Sequence, residues 1–360
     1  SDESSDSISS WGEDSLQPYR LDDDEEDLSR VPRPRTLRDC LAYLITSESD
    51  TLAYDKHHAA LTELAPIINA QPLDLHDVIS TLVRVLLFLE DKFSMDQFAE
   101  KRWVSLMAIG VNAPTEMCLL LVTEMRGNIS LGTRLEILSI LKDISQDLSG
   151  ARGNSQKHLN DSNYEISHCS TKLLRALRLN DASNGDEDAT TELDVQYSKT
   201  RRWRKHRTPT TSTPNRFGAV SVHMIYSLFS FLSQTRTDES IWGGSVGEKF
   251  LSEFLKSLAI MLYCASTYPS SALLVFATDL FDLAWSFRTA KCSEVRHAAL
   301  LAMLTCVSLL PLESVMQRAY GTGSFLKQCS ELDDSSDCRH VASLILGRVS
   351  EMMNQNLIGS

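Results

Sequence analysis

The chain of 360 residues has no CxxC pair, few aromatic residues (7%) and no long uninterrupted apolar run. Its eight cysteines, Cys40, Cys118, Cys169, Cys264, Cys292, Cys306, Cys329 and Cys338, are scattered singly, mostly inside apolar patterns. That argues against a disulfide framework or a zinc finger and fits reduced thiols in a cytoplasmic or nuclear protein. The apolar stretches at residues 82–89 and 255–268 are too short or too broken by charge to supply the roughly 20 residues that a bilayer demands, so no membrane role is expected. Period-two alternation and hairpin dipeptides are scarce, which leaves little room for a β-sheet architecture. A secretory leader is absent, and the opening Ser-Asp-Glu in place of Met reads as the start of a piece of a longer protein.

What is present is a 42% hydrophobic composition, enough to bury a sizeable core, and a formal charge of −13. That charge is unevenly placed: residues 1–30 hold eleven Asp and Glu against two Arg, leaving −4 for the rest. Residues 1–35 therefore read as an acidic, Ser-rich disordered tail with too little apolar surface to offset the entropy of ordering. From Thr36 apolar residues recur every three or four positions, as in Val78, Leu82, Val85, Leu86 and Leu89, and again from Leu131 to Leu148, so residues 36–148 form a helical-repeat region. Residues 149–216 break the pattern with an acidic stretch, a basic tract and a Thr/Pro-rich run; apart from a short helix at 164–179 they read as a disordered linker or insertion. Helical periodicity returns over residues 217–354, with a break near Gly321 and Gly323.

Two segments, Ser94 to Gln97 and Ser245 to Glu248, have the S-x-x-Q/E form of a capping box and predict helix starts. A specific repeat type is indicated by Ser293-Glu-Val-Arg296-His-Ala298-Ala299-Leu-Leu301, whose Val-Arg and Ala-Ala-Leu texture matches the second helix of a HEAT-like repeat. Weaker relatives begin at Arg102, Arg134 and Cys338-Arg339, near the roughly 40-residue period of such arrays. The expected fold is thus all-α, a HEAT-like α-solenoid, against the alternative of a non-repetitive helical bundle.

No catalytic, cofactor-binding or metal-ligating set emerges. Gly243-Gly-Ser245-Val-Gly247 matches the G-x-S-x-G elbow of hydrolases, but no strand pattern precedes it and Ser245 is placed to cap a helix. His57-His58 and His168-Cys169 lack a second pair at ligand spacing. The run Lys199-Thr-Arg201-Arg202-Trp203-Arg204-Lys205-His-Arg207 admits three readings: docking to an acidic protein surface or to the chain's own fold, a nuclear-import tract, or phosphate contacts with Trp203 stacking on a base. Ser10, three residues before Glu13, suits an acidophilic kinase.

A family resemblance gathers these features. Leu16-Gln-Pro18-Tyr19-Arg-Leu21, followed by Pro34-Arg-Thr-Leu37-Arg38-Asp39-Cys40, resembles the opening of the conserved region of the telomere length regulation protein 2 family. Val85-Leu-Leu-Phe-Leu89-Glu90-Asp91-Lys92-Phe93 and Asn128-Ile-Ser-Leu-Gly-Thr-Arg134-Leu-Glu-Ile-Leu138 resemble two further stretches, and Thr200-Arg201-Arg202-Trp203, Asn215-Arg216-Phe217, Leu283 to Arg288 and Asp337-Cys338-Arg339 follow in the family's order. The resemblance implies a non-catalytic α-solenoid subunit joining two other helical-repeat proteins. Such a complex hands phosphatidylinositol-3-kinase-related kinases to heat shock protein 90, in cytoplasm and nucleus and at telomeres, with telomere-length and DNA-damage-checkpoint effects following indirectly. It also implies phosphoserines read by a cochaperone adaptor; Ser4, Ser5, Ser7 and Ser10 are the candidates, although they lack the family's Asp-Ser-Asp-Asp run, and Gln17 and Arg20 depart from its usual residues. Pro18, Tyr19, Arg38, Asp39, Glu90, Asp91, Lys92, Asn128, Arg134, Arg201, Arg202, Trp203, Asn215, Arg216 and Phe217 are expected to bind partners or brace the fold. The competing reading is a telomeric or other nucleic-acid binder acting through residues 199–207.

Overall fold

The computed structural model describes residues 31–151, 215–268, 270–318 and 321–359. Among them there are fourteen helices and no strand. They are α1 Leu37–Leu44, α2 Ala53–Asn69, α3 Leu75–Phe88, α4 Phe98–Asn112, α5 Pro114–Met125, α6 Leu131–Leu148 and α7 Phe217–Thr235, then the single turn α8 Glu239–Trp242. The series continues with α9 Gly244–Ala265, α10 Ser271–Ser286, α11 Ser293–Leu309, α12 Leu312–Arg318, α13 Thr322–Leu332 and α14 Ser336–Gly359.

Their packing is that of a two-row solenoid. In one row α2, α4, α6, α9, α11 and α14 each pack on the next; in the other α1, α3, α5, α7 and α10 do the same. Rungs pair α1 with α2, α3 with α4, α5 with α6, α7 with α9, α10 with α11 and α13 with α14. The rows differ as their sequences dictate. Helix α11 is buried at Val295 and continuously from Ala298 to Val307, because it lies between α9 and α14 with α10 across it. Ala298, Ala299 and Ala302 keep those approaches close, as the HEAT-like texture predicts. At Gly110 the α4–α6 approach leaves no room for a side chain, since a Cβ there would lie 2.2 Å from Ile144. The apolar side chains join in one continuous core from Leu37 to Ile345.

Successive repeats are also stitched by polar bonds between residues 34 to 43 positions apart. Arg84 pairs with Glu124 across α3–α5, Lys101 Nζ meets His58 Nε2 across α2–α4, and Ser252 Oγ donates to Glu294 O across α9–α11. Arg102 pairs with Glu136 across α4–α6. The solenoid continues across residues 152–214: α6 packs on α9 and α5 on α7, and the Arg216 N–H donates to Leu148 O at 2.9 Å.

Four arginines do equivalent work. Arg102 donates to the carbonyls of Leu86 and Leu87 at the end of α3, and Arg134 to those of Met125 and Gly127 after α5. Arg296 donates to Ala290 and Lys291 in the turn after α10, and Arg339 to Asp333 and Asp334 after α13. Each guanidinium stands near the start of the second helix of its pair and satisfies carbonyls left open where the first helix stops.

Helix starts correct two expectations. Ser94 is no N-cap: it adopts φ +52°, and α4 begins at Phe98 behind Gln97, itself left-handed at φ +57° and making no side-chain cap bond. Ser245 does not cap α9 either, because that helix already begins at Gly244 with Gly243 as its N-cap. Gly247 is demanded by the sharp α8–α9 corner, where a Cβ would fall 2.1 Å from the Trp242 carbonyl carbon. The observed capping box is at Thr36: its Oγ1 accepts from the Asp39 N–H and the Asp39 carboxylate accepts from the Thr36 N–H, both at 3.1 Å.

Candidate docking cleft

Between the first two repeats the turns α1–α2 and α3–α4 enclose a cleft of about 700 Å³. Its first wall follows from α1, which ends at Leu44 and releases Ile45, Thr46, Ser47 and Glu48 into a turn. Asp50 closes that turn, accepting from the Leu52 N–H and pairing with Lys56 at 2.5 Å. The second wall begins where α3 ends. Arg102 takes the carbonyls of Leu86 and Leu87, and Leu89 turns extended (φ −69°, ψ 120°). Asp91 Oδ1 then accepts the Met95 N–H at 3.0 Å, holding Glu90 and Lys92 at the rim. Lys92 reaches across to an ion pair with Glu48. That bond raises the Lys92 pKa, yet both partners are exposed, so the pair is a weak bar across the opening.

The apolar part of the lining is Leu44, Ile45, Val85, Phe88 and Leu89, of which Ile45 is 59% and Phe88 45% exposed, and Thr46, Ser47, Glu48, Glu90 and Lys92 complete the walls. At the base lies His57 of α2, 6% exposed and edge-on to Phe93 at 5.4 Å between ring centroids. Burial lowers its pKa, outweighing the nearby Thr46 backbone, so the ring is neutral at pH 7. Neither ring nitrogen meets full hydrogen-bond geometry, and the nearest polar group is the Thr46 backbone, which pulls the pKa upward. A buried polar group left unmatched costs about 1–3 kcal/mol. The cleft thus joins five apolar side chains to a polar set, Thr46, Ser47, Glu48, Glu90 and Lys92, with the neutral His57 ring against it.

Among the candidate residues from sequence, Glu90, Asp91 and Lys92 are brought together here. Asp39 lies at the opposite end of α1 as a cap, with its carboxyl held below the usual range by the Thr36 hydroxyl. Arg38 is exposed on α1 and Asn128 in the turn after α5. Arg134 is 7% exposed and spent on carbonyls, which makes it a brace. Asn215 Nδ2 donates to Cys264 O at 2.8 Å while its Oδ1 accepts the Gly218 N–H; Arg216 reaches Val111 O, and Phe217 is fully buried. All three tie the start of α7 to its neighbours. Ser4, Ser5, Ser7, Ser10, Pro18, Tyr19, Arg201, Arg202 and Trp203, with His168, Cys169 and the helix at 164–179, lie outside the described residues.

Helical periodicity gives no sign of Ile45 and Glu48, which lie in the turn after α1. Glu48 meets Lys92 across 44 positions, about one repeat, and that offset was the available signal.

Elsewhere, burial pushes the thiols of Cys40 and Cys118 up to about 12 and that of Cys264 to about 11, so they remain protonated. Among the described residues no three His, Cys, Asp or Glu converge as a metal set, and no helix is long and apolar enough to cross a membrane. Ser245 follows a helical turn, α8, where a hydrolase elbow needs a strand.

Residues 34–145 match the model of the family described as telomere length regulation protein. Over nearly its whole length the chain is 27% identical, across 339 residues, to the telomere length regulation protein TEL2 homolog of Xenopus laevis, covering 92% of this chain and 39% of the relative. It is 25% identical over 351 residues to the Mus musculus homolog, covering 95% and 40%. The Homo sapiens homolog is 26% identical over 358 residues, covering 96% and 41%. The chain spans about two fifths of the length of the curated relatives it matches. No solved structure matches it. The match over residues 34–145 holds both cleft walls, and the chain is similar to telomere length regulation proteins through nearly its whole length.

Proposed function

We propose that the chain is a non-catalytic scaffold of a cochaperone complex that stabilises and matures phosphatidylinositol-3-kinase-related kinases with heat shock protein 90. Its partners in this reading are two helical-repeat proteins, the kinases and a phospho-reading adaptor, and it works in cytoplasm and nucleus and at telomeres. Telomere length and DNA-damage checkpoint signalling depend on it through those kinases. The observation that carries the reading is the two-row solenoid, which offers an elongated surface backed by one continuous core, the form suited to holding large partners.

Affinity purification of the tagged chain from cells tests it. Co-recovery of two helical-repeat proteins and several large kinases is expected; recovery of neither class sinks the reading. A nucleic-acid role through residues 199–207, favoured by four Arg and two Lys in nine positions, instead predicts steeply salt-dependent binding that Arg201, Arg202 and Arg204 changed to Ala weaken.

A further inference from the structure

We propose that Thr36, the residue that caps α1, is a phosphoacceptor for an arginine-directed protein kinase. The inference is independent of the cochaperone reading and of the serines near the start of the chain.

Charge points there first. The chain carries −13 overall, yet residues 31–38, Val-Pro-Arg-Pro-Arg-Thr-Leu-Arg, hold three arginines and no carboxylate. Arg33 stands three positions before Thr36 and Arg35 one before it. Carboxylates in the substrate cleft of an arginine-directed kinase grip such guanidinium groups through forked, charge-assisted hydrogen bonds. Arg33 pairs with Glu63 at 2.8 Å, but its side chain is 61% exposed, so little is lost when a kinase takes the guanidinium instead. Asp39 lies three positions after Thr36, where an acidophilic kinase reads a carboxylate, but it is engaged in the capping box and flanked by Arg35 and Arg38.

Backbone shape agrees with charge. A kinase cleft takes its substrate as an extended segment. Pro32 and Pro34 fix their own φ and push the residues before them toward the extended region. Residues 32–36 form neither helix nor strand, and Thr36 is itself extended at φ −125°, ψ 160°. Pro32, Arg33, Arg35, Thr36 and Arg38 are exposed, while Val31 and Pro34 are buried and hold the segment against the solenoid.

The fold then selects this hydroxyl. Among the described residues one other, that of Ser105, follows an arginine at the same distance. Ser105 is fully buried in α4 and donates to Lys101 O, and Arg102 before it is spent on the carbonyls of Leu86 and Leu87.

In the transfer, Thr36 Oγ1 attacks the γ-phosphorus of ATP and the bond to the bridging oxygen breaks. ADP leaves with that electron pair, and the hydroxyl proton passes to the kinase's catalytic carboxylate. Leu37, buried at the position after the acceptor, leaves its seat when the first turn of α1 frays, and helix ends are among the first places to open. The product sets a phosphate beside the Asp39 carboxylate, which in the unmodified chain accepts the Thr36 N–H. Like charges so close repel, so the modification opens the capping box.

The full chain incubated with ATP and cAMP-dependent protein kinase, an arginine-directed enzyme, tests the proposal, with sites mapped by peptide mass spectrometry. Position 36 should be phosphorylated in wild type and in Thr36→Ser, and unmodified in Thr36→Val. Arg33→Ala should slow incorporation roughly tenfold, the loss of one charged hydrogen-bonded contact, while thermal unfolding stays unchanged because Arg33 is exposed. If Thr36 stays unmodified in the full chain although a free peptide of residues 31–41 takes up phosphate, the fold hides the hydroxyl and the proposal is overturned. Incorporation indifferent to Arg33→Ala overturns it as well. Faster modification of Thr36 by casein kinase 2, abolished in Asp39→Asn, assigns the site to an acidophilic kinase and overturns the arginine-directed form.

Discussion

The repeat formed by α7, α8 and α9 and its neighbours meet the same requirement with different chemistry. Where α3 meets α4, α5 meets α6, α10 meets α11 and α13 meets α14, a guanidinium binds the carbonyls left by the first helix. At the end of α7 an aromatic cluster stands in that place. Trp242, Phe231, Phe250 and Phe254 pack with centroids 5.1 to 6.2 Å apart, and Trp242 Nε1 donates to Thr235 Oγ1. A polar brace can act beside a turn that stays partly hydrated. The apolar one requires α8 to fold back tightly onto α9, which is why Gly247 must lie against the Trp242 carbonyl. The aromatic repeat is also the first after residues 152–214.

The largest effect should come from breaking that nucleus. Phe254→Ala removes a fully buried ring that touches Phe231, Trp242 and Phe250 and should cost about 3–5 kcal/mol in denaturant unfolding. Gly247→Ala should be comparably damaging, because the obstructing atoms are backbone and cannot rotate away. Equal tolerance of Gly247→Ala and Gly323→Ala, the latter with open space around it, would show that the α8–α9 corner is not tight.

Smaller losses are expected at the polar braces. Arg134→Ala leaves two carbonyls unmatched and should cost about 1.5–3 kcal/mol, since bonds to a charged donor are the strong ones. Arg296→Ala also strands Asp333, which it grips through two nitrogens at 2.9 and 3.0 Å with both side chains largely buried, and should cost somewhat more, about 3 kcal/mol. Lysine should not restore either site, because a single ammonium nitrogen lacks the planar spread of donors with which each guanidinium uses two separate nitrogens. If Arg134→Ala and Arg134→Lys both unfold like wild type, the arginines are bystanders and the contrast between the two kinds of repeat dissolves.

These braces show how far the residues could be read in advance. Helical spacing and the texture around Arg296 are local, and they led to a solenoid because each repeat is one supersecondary unit with its own apolar stripe. The arginines at 102, 134, 296 and 339 were visible as repeat marks, but their task was not, because a carbonyl acceptor belongs to the backbone and leaves no trace in side-chain type. The serines at 94 and 245 misled for a related reason: S-x-x-Q/E describes two side chains, whereas the chain enters α4 through left-handed Gln97 and enters α9 from the α8 corner. The cleft was half legible. Glu90 and Lys92 stood in a family-like stretch, but their facing wall lies one repeat away, and a stripe along one helix cannot reveal a slot between two turns.

The smallest effect separates the two ends of the solenoid by two histidines, His57 buried and His297 half-buried. His57 at the cleft and His297 on α11 both have pKa values lowered from 6.5, in each case chiefly by burial, with Lys92 adding to it at the first and Lys256 at the second. A lowered folded pKa means that the unfolded chain binds the proton more readily. The stability contributed by the neutral rings is therefore complete above pH 6.5 and is lost as the pH falls through 6.5 toward the folded values. Unfolding free energies measured from pH 7.5 to 5 should decline for wild type, and His297→Gln and His57→Asn should each flatten part of that decline. Because burial is the larger cause at both, raising salt should leave the slope nearly intact, whereas a slope set by Lys92 and Lys256 would shrink as those charges are screened. If the slope survives the double substitution, neither histidine is held neutral by the fold. If only His57→Asn leaves it unchanged, the base of the cleft is wetter than its geometry implies, while α11 remains dry.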